Sequence, residues 1–215
     1  MVEKRECKID ITLLHYTPLH ICSHAIRTCW QSFDKGDNGG EKDISLIDRV
    51  GNKYKHASTL EHLYYNFYIK GISRACLQEL ARHRMASFSV KSSRYTLKEL
   101  KDLPSFLPIN EENLARAEKY VVFTSNEQVN EASVLALERL REILCNNVNN
   151  DIAKFAMPES YRTELSFSIN ARSLQNLLAL RTSKSALWEI RALALALFES
   201  LPEDHKFIFE ECLQS

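Results

Sequence analysis

Two stretches of the chain combine guanidiniums and hydroxyls, the second with amides as well, and neither carries a carboxylate. Between Leu80 and Lys98 lie Arg82, His83, Arg84, Lys91, Arg94 and Lys98, with Ser87, Ser89, Ser92 and Ser93 among them. Between Leu165 and Trp188 lie Arg172, Arg181 and Lys184, with Asn170 and Asn176. The whole chain balances 28 Lys and Arg against 28 Asp and Glu, so these windows are local segregations of charge. Arginine forks and serine hydroxyls are the usual donors to phosphate and carboxylate oxygens, which makes anion binding the chemistry to expect. The simpler reading is that each basic residue sits on a solvated helix face. Spacing weakens it. On a helix over 171–181, Leu174, Leu177, Leu178 and Arg181 fall at i, i+3, i+4 and i+7, so Arg181 continues an apolar stripe. On a helix over about 72–85, Leu77, Leu80, Ala81 and Arg84 do the same. A guanidinium among apolar neighbours is costly unless paired. An acidic partner within the fold and an anionic ligand both answer that cost, and both stay open for each arginine.

The elements that must position these residues are mixed. Residues 63–69 alternate, with Leu63, Tyr65, Phe67 and Ile69 on one face, and residues 163–169 repeat the pattern with Leu165, Phe167 and Ile169. A period of two predicts half-buried strands. Residues 7–14 predict a further strand, and 17–33 a helix followed by a turn at Asp34–Gly40. Helical patterns cover about 72–85, a long stretch around 111–148, then 171–181 and 184–200. Pro104 and Pro108 mark 101–110 as a linker into a helical excursion of about 101–150. The expectation is one α+β domain over 1–215, with helices packed on a twisted, mostly antiparallel sheet.

Composition narrows the function. With 215 residues and 45% apolar content there is ample material for a core. A formal charge of zero argues against a general nucleic-acid binder. No apolar run reaches the roughly 18 residues of a membrane span, and the first residues lack a signal-peptide core. Cys7, Cys22, Cys29, Cys76, Cys145 and Cys212 are scattered without a CxxC pair, the pattern of reduced thiols in a cytoplasmic protein.

Residues 82–95 read Arg-His-Arg-Met-Ala-Ser-Phe-Ser-Val-Lys-Ser-Ser-Arg-Tyr. This resembles the signature of the flavin-dependent thymidylate synthases, an Arg-His-Arg triplet followed by spaced serines and a closing Ser-x-Arg-Tyr. The flanks agree: His56-Ala-Ser-Thr-Leu-Glu-His62 and Gly71-Ile-Ser-Arg-Ala upstream, Asn170-Ala-Arg-Ser-Leu, Leu180-Arg181 and Trp188-Glu189-Ile190 downstream. The similarity spans roughly residues 54–95 and 153–190; the excursion matches nothing specific.

The resemblance implies a homotetramer with shared active sites, FAD as cofactor and NADPH as its reductant. It implies methylation of dUMP at C5 by methylenetetrahydrofolate, giving dTMP and tetrahydrofolate. By position, Ser58, Arg82, His83, Arg84, Val90, Asn170, Arg172 and Asn176 fall to FAD. Glu79, Arg82, Ser92, Ser93, Arg94 and Lys154 fall to dUMP. Arg181 is the residue the family uses to activate the uracil ring, and His56 lies on the folate side. Asn170 has a second reading as a plain helix cap, and His56 one as a surface residue. Two positions depart from the commoner family pattern: Ser89-Val90 stands where Asn-Glu is usual, and Lys154 where an Arg is common. Val90 can offer only backbone and apolar contact, and Lys lacks the bidentate fork. Independently, no GxGxxG fingerprint is present, so a flavin here must be held by side-chain donors.

Three rivals remain. Cys76 lies seven residues before His83, two turns along one helix face by the helical reading, and could act as a nucleophile. Scattered cysteines are more simply small core hydrophobes. His20, Cys22 and His24 are close, but on a helix Cys22 points away from the two histidines and no fourth ligand follows at zinc spacing, so no metal is expected. A non-enzymatic nucleotide- or RNA-binding module using Arg82, Arg84 and Arg94 is the third.

Overall fold

The computed structural model describes residues 8–214. Strand β1 runs over Asp10–Tyr16, β2 over Tyr64–Ser73, β3 over Ala86–Val90 and β4 over Arg162–Asn170. The helices are α1 Leu19–Thr28, α2 Glu41–Ile47, α3 Arg74–Leu80, α4 Ser93–Thr96, α5 Glu111–Ala117, α6 Glu127–Cys145, α7 Asn150–Ala153, α8 Ala171–Arg181 and α9 Trp188–Glu199. The chain divides into two compact units. One contains Lys70–Glu79 and Val90–Leu165; the other contains Asp10–Ile69, Leu80–Ser89 and the chain from Ser166 onward.

The four strands form an antiparallel sheet in the order β1-β2-β4-β3, and the second unit contains β1, β2 up to Ile69, β3 up to Ser89 and β4 from Ser166. Alternation works as expected: Leu63, Tyr65, Phe67 and Ile69 are fully buried, and so are Phe167 and Ile169 on β4. Phe167 meets Phe67 and Phe88 at ring-centre distances of 6.4 and 5.2 Å. Helix α8 buries Leu174, Leu177 and Leu178 completely, which leaves Arg181 at the end of that stripe, as its spacing predicts. Helix α9 packs against α8 and buries Ile190, Leu193 and Leu197.

The first unit has a core of its own. Leu97, Leu100, Phe106, Val121, Val134, Leu137, Leu140 and Leu144 form one apolar cluster, so the excursion is a packed helical body. Its linker is pinned by Glu138 of α6, whose carboxylate accepts from the Phe106 backbone N–H at 2.8 Å and the Ser105 hydroxyl at 3.0 Å. Gly71 is left-handed, at φ +85°, and a Cβ there would lie 2.5 Å from the Lys8 carbonyl oxygen, so only glycine fits.

Several expectations need correction. The helix over 72–85 stops at Leu80, so Arg82–Arg84 lie in the connection to β3, and β3 itself was not expected. Arg84 therefore extends no helical stripe, and Cys76 and His83 share no helix face. The stretch 111–148 is two helices separated by an extended segment, in which Val121 bridges to Tyr161. The first strand is shifted toward 10–16, and Cys7, where it was expected to begin, lies outside the described residues. The helix expected over 17–33 ends at Thr28.

Candidate functional site

In the second unit, the Arg-His-Arg segment and the end of α8 meet. Arg181 Nε donates to His83 Nε2 at 3.0 Å, across 98 residues of sequence. His83 is buried, Arg181 half-buried, and Arg82 and Arg84 are exposed on either side of the histidine. The chain reaches this place because α3 ends at Leu80, whose carbonyl accepts from the His83 backbone N–H at 3.1 Å.

The start of α8 is organised by Asn170. Its side chain accepts from the Ser173 backbone N–H at 2.8 Å and caps the helix, so the capping role is real. Arg172, in the first turn, pairs with Glu61 at 2.6 Å. Glu61 belongs to the 3-10 helix Ala57–His62, which also carries Ser58 and packs on α8. His56 caps that helix by backbone only and is exposed, 6.4 Å from the Tyr54 ring. Asn176 is exposed on α8. Ser58, Arg82, His83, Arg84, Asn170, Arg172, Asn176, Arg181 and His56 thus all belong to one unit. Its donors are guanidiniums, amides, a hydroxyl and an imidazole, a set that fits a diphosphate and a polar ring system.

The first unit holds the other group. Ser92 caps α4 and its carbonyl accepts from the backbone N–H groups of Tyr95 and Thr96. Arg94 makes a two-pronged contact with Asp151, Nε to Oδ1 at 2.6 Å and Nη2 to Oδ2 at 3.1 Å. The Asn150 side chain donates to the Arg94 carbonyl at 2.6 Å. Helix α4 therefore packs on α7, and α7 runs directly into the 3-10 turn that begins at Lys154, which is exposed. Lys91 is held by Glu164 at 3.2 Å, with Glu99 at 3.7 Å. Glu79 is half-buried on α3, Ser93 half-buried on α4, and Val90 is exposed at the end of β3. An open polar cleft beside Arg94 is lined by Tyr95, Lys101 and residues 147–151.

Glu61, Asn150 and Asp151 were missed by sequence reasoning. Each lies outside the acid-free windows that drew attention to the arginines, and nothing local announces a partner 57 or 111 residues away. Cys22 is fully buried on α1, its thiol donating to the Thr59 carbonyl at 3.3 Å, and burial pushes it up to about 12. It is a core residue. Cys76 is also fully buried. Among the described residues, no three His, Cys, Asp or Glu side chains are grouped so as to hold a metal ion. No described helix is long and apolar enough to cross a membrane.

The family model described as "Thymidylate synthase complementing protein" matches residues 12–205. A protein of Campylobacter jejuni (strain RM1221) named flavin-dependent thymidylate synthase is 66% identical over 205 residues, covering 95% of this chain and 98% of its own. The protein of the same name from Helicobacter pylori (strain J99) is 63% identical over 207 residues, covering 96% and 100%. A crystal structure of thymidylate synthase X from Helicobacter pylori with FAD and dUMP superposes at a TM-score of 0.93, with 63% identity over 96% of this chain and all of that one.

Proposed function

The chain belongs to the flavin-dependent thymidylate synthases, and on that premise we propose that it methylates dUMP at C5 to give dTMP, with methylenetetrahydrofolate as carbon donor. The observation that carries this is the 0.93 TM-score to a relative that holds FAD and dUMP. FAD, when bound, supplies hydride, and NADPH restores its reduced form. Arg82, His83, Arg84, Asn170, Arg172, Asn176 and Ser58 would hold FAD, and Val90 could offer it only backbone and apolar contact. Glu79, Arg82, Ser92, Ser93, Arg94 and Lys154 would hold dUMP; paired guanidiniums and hydroxyls suit its phosphate dianion, and the Glu79 carboxylate suits a sugar hydroxyl or ring N–H. His56 would face the folate.

Arg181 carries the chemical role. Attack from C5 of uracil requires extra electron density in the ring. A fixed guanidinium at an oxygen of the ring favours that charge without any thiolate addition at C6, and such a preorganised donor is typically worth about 2.7–4 kcal/mol. The buried, core-packed positions of Cys22 and Cys76 agree with a reaction that uses no cysteine.

We read residues 1–215 as one catalytic domain, since the family match runs through both compact units, and the assembly as a homotetramer with shared sites in the cytoplasm. Exposed apolar residues on α8 and α9 (Leu180, Trp188 and Leu195) suit subunit contacts. The test is direct. Purified protein should be yellow, bleach with NADPH, and convert dUMP to dTMP only when methylenetetrahydrofolate is present. Colourless protein that binds dUMP without turnover would favour a nucleotide-binding module built on Arg82, Arg84 and Arg94.

A further inference from the structure

Arg181 ends α8, and its Nε donates to Nε2 of His83 at 3.0 Å. The direction of this bond is unambiguous, because a guanidinium has donors only. Nε2 must therefore be the bare nitrogen, so the imidazole is neutral and carries its proton on Nδ1. The histidine is only 8% exposed, so water competes little for that lone pair. A bond at Nε acts on the guanidinium differently from one at a terminal amino group. Nε is the joint between the flexible stem and the planar fork, so fixing its N–H direction fixes the plane of the fork.

We propose that His83, as the neutral Nδ1–H tautomer, is the positioning residue for Arg181, setting the plane in which its guanidinium meets the pyrimidine ring. The proposal rests on the reading of Arg181 as the ring-activating residue and extends it, since the resemblance gives His83 only to the flavin. It also links two elements that the sequence separates: the turn after α3 places the acceptor and the last turn of α8 places the donor. A charged group that must stabilise developing charge acts only if its orientation is set beforehand, and loss of such preorganisation costs on the order of a hundredfold in rate.

Glutamine at position 83 carries its carbonyl oxygen at about the reach of Nε2, and asparagine at about the reach of Nδ1; that difference supplies the test. With saturating FAD and dUMP, His83→Asn should lower kcat for dTMP by at least about a hundredfold, while His83→Gln stays within about tenfold of wild type. Because His83 also stands among the residues read as holding FAD, flavin content is measured for each variant and kcat is expressed per bound FAD. In an Arg181→Ala background, His83→Asn should cost less than about threefold further, because its effect passes through Arg181. Losses that multiply, or a glutamine variant no better than the asparagine one, would overturn the proposal. The tautomer is read separately from the 15N shifts of histidine-labelled protein, with the His83→Gln spectrum assigning the signal among the seven histidines. A proton on Nε2 overturns the proposal whatever the activity. A wild-type chain that forms no dTMP overturns instead the functional reading, and with it the catalytic half of this proposal.

Discussion

Arg172 and Cys76 show how side-chain surroundings separate binding from packing. The Arg172–Glu61 pair is short, at 2.6 Å, but both side chains are about half exposed, so it contributes little to stability. Replacing His83 and Arg172 together by Ala should therefore give colourless protein whose unfolding remains cooperative. Stoichiometric FAD in that double variant would remove both residues from the flavin site. Cys76 is fully buried on α3, and its backbone N–H donates to the Ser73 hydroxyl at 2.9 Å. Cys76→Ala should keep most turnover, with a stability loss of order 1 kcal/mol. If turnover vanished while FAD and dUMP still bound, a thiol mechanism would be required. The residue types at these sites were legible from the sequence, because an acid-free window in a balanced chain is visible without a structure. Their partners were not, because Glu61, Asn150 and Asp151 reach the arginines only through folding.

Among the elements, periodicity predicted what was long and regular. Helix α8 appears over Ala171–Arg181 as expected, and β2 and β4 bury the predicted faces. It failed where the chain turns. Arg82-His-Arg84 has helical composition, yet α3 ends at Leu80 and β3 starts two residues after Arg84, a tertiary choice that local propensity does not encode. The linker at 101–110 was read from its prolines, but its anchor, Glu138, was not. Its carboxyl lies below the ordinary carboxylate range, held there first by hydrogen bonds from Arg141 and further by the Phe106 N–H and the Ser105 hydroxyl, against the opposing effect of burial. The unfolded chain therefore takes up a proton before the folded one does. The resulting stability is complete above the ordinary glutamate value and is lost as pH falls through it toward the lowered folded value. Glu138→Gln should cost about 1.5–3 kcal/mol at pH 7 by urea unfolding. The difference should shrink below pH 4.5; an equal difference at both pH values would assign Glu138 a purely steric role.

For the whole molecule, the α+β class was legible from the mixture of periods, while the packed core of the excursion was only partly so: the α6 stripe Val134, Leu137, Leu140 and Leu144 is periodic, but Leu97, Leu100, Phe106 and Val121, which complete the core, come from short segments and turns. Assembly adds a scale that one chain does not display. Leu195 is 44% exposed on α9 and Trp188 is 40% exposed, large apolar groups that a subunit contact would cover. Light scattering should give a mass of four chains of 24.8 kDa, and Leu195→Glu should lower it. A wild-type monomer with full activity would rule out shared sites. Arg181 ends the apolar stripe of α8, and the proposed mechanism puts it at the uracil ring. The decisive measurement is dTMP formation by FAD-loaded Arg181→Ala at saturating dUMP, NADPH and methylenetetrahydrofolate. The variant should keep its flavin and its bleaching by NADPH but make dTMP at least about a hundredfold more slowly than wild type; a near wild-type rate would make Arg181 a structural residue and contradict the mechanism.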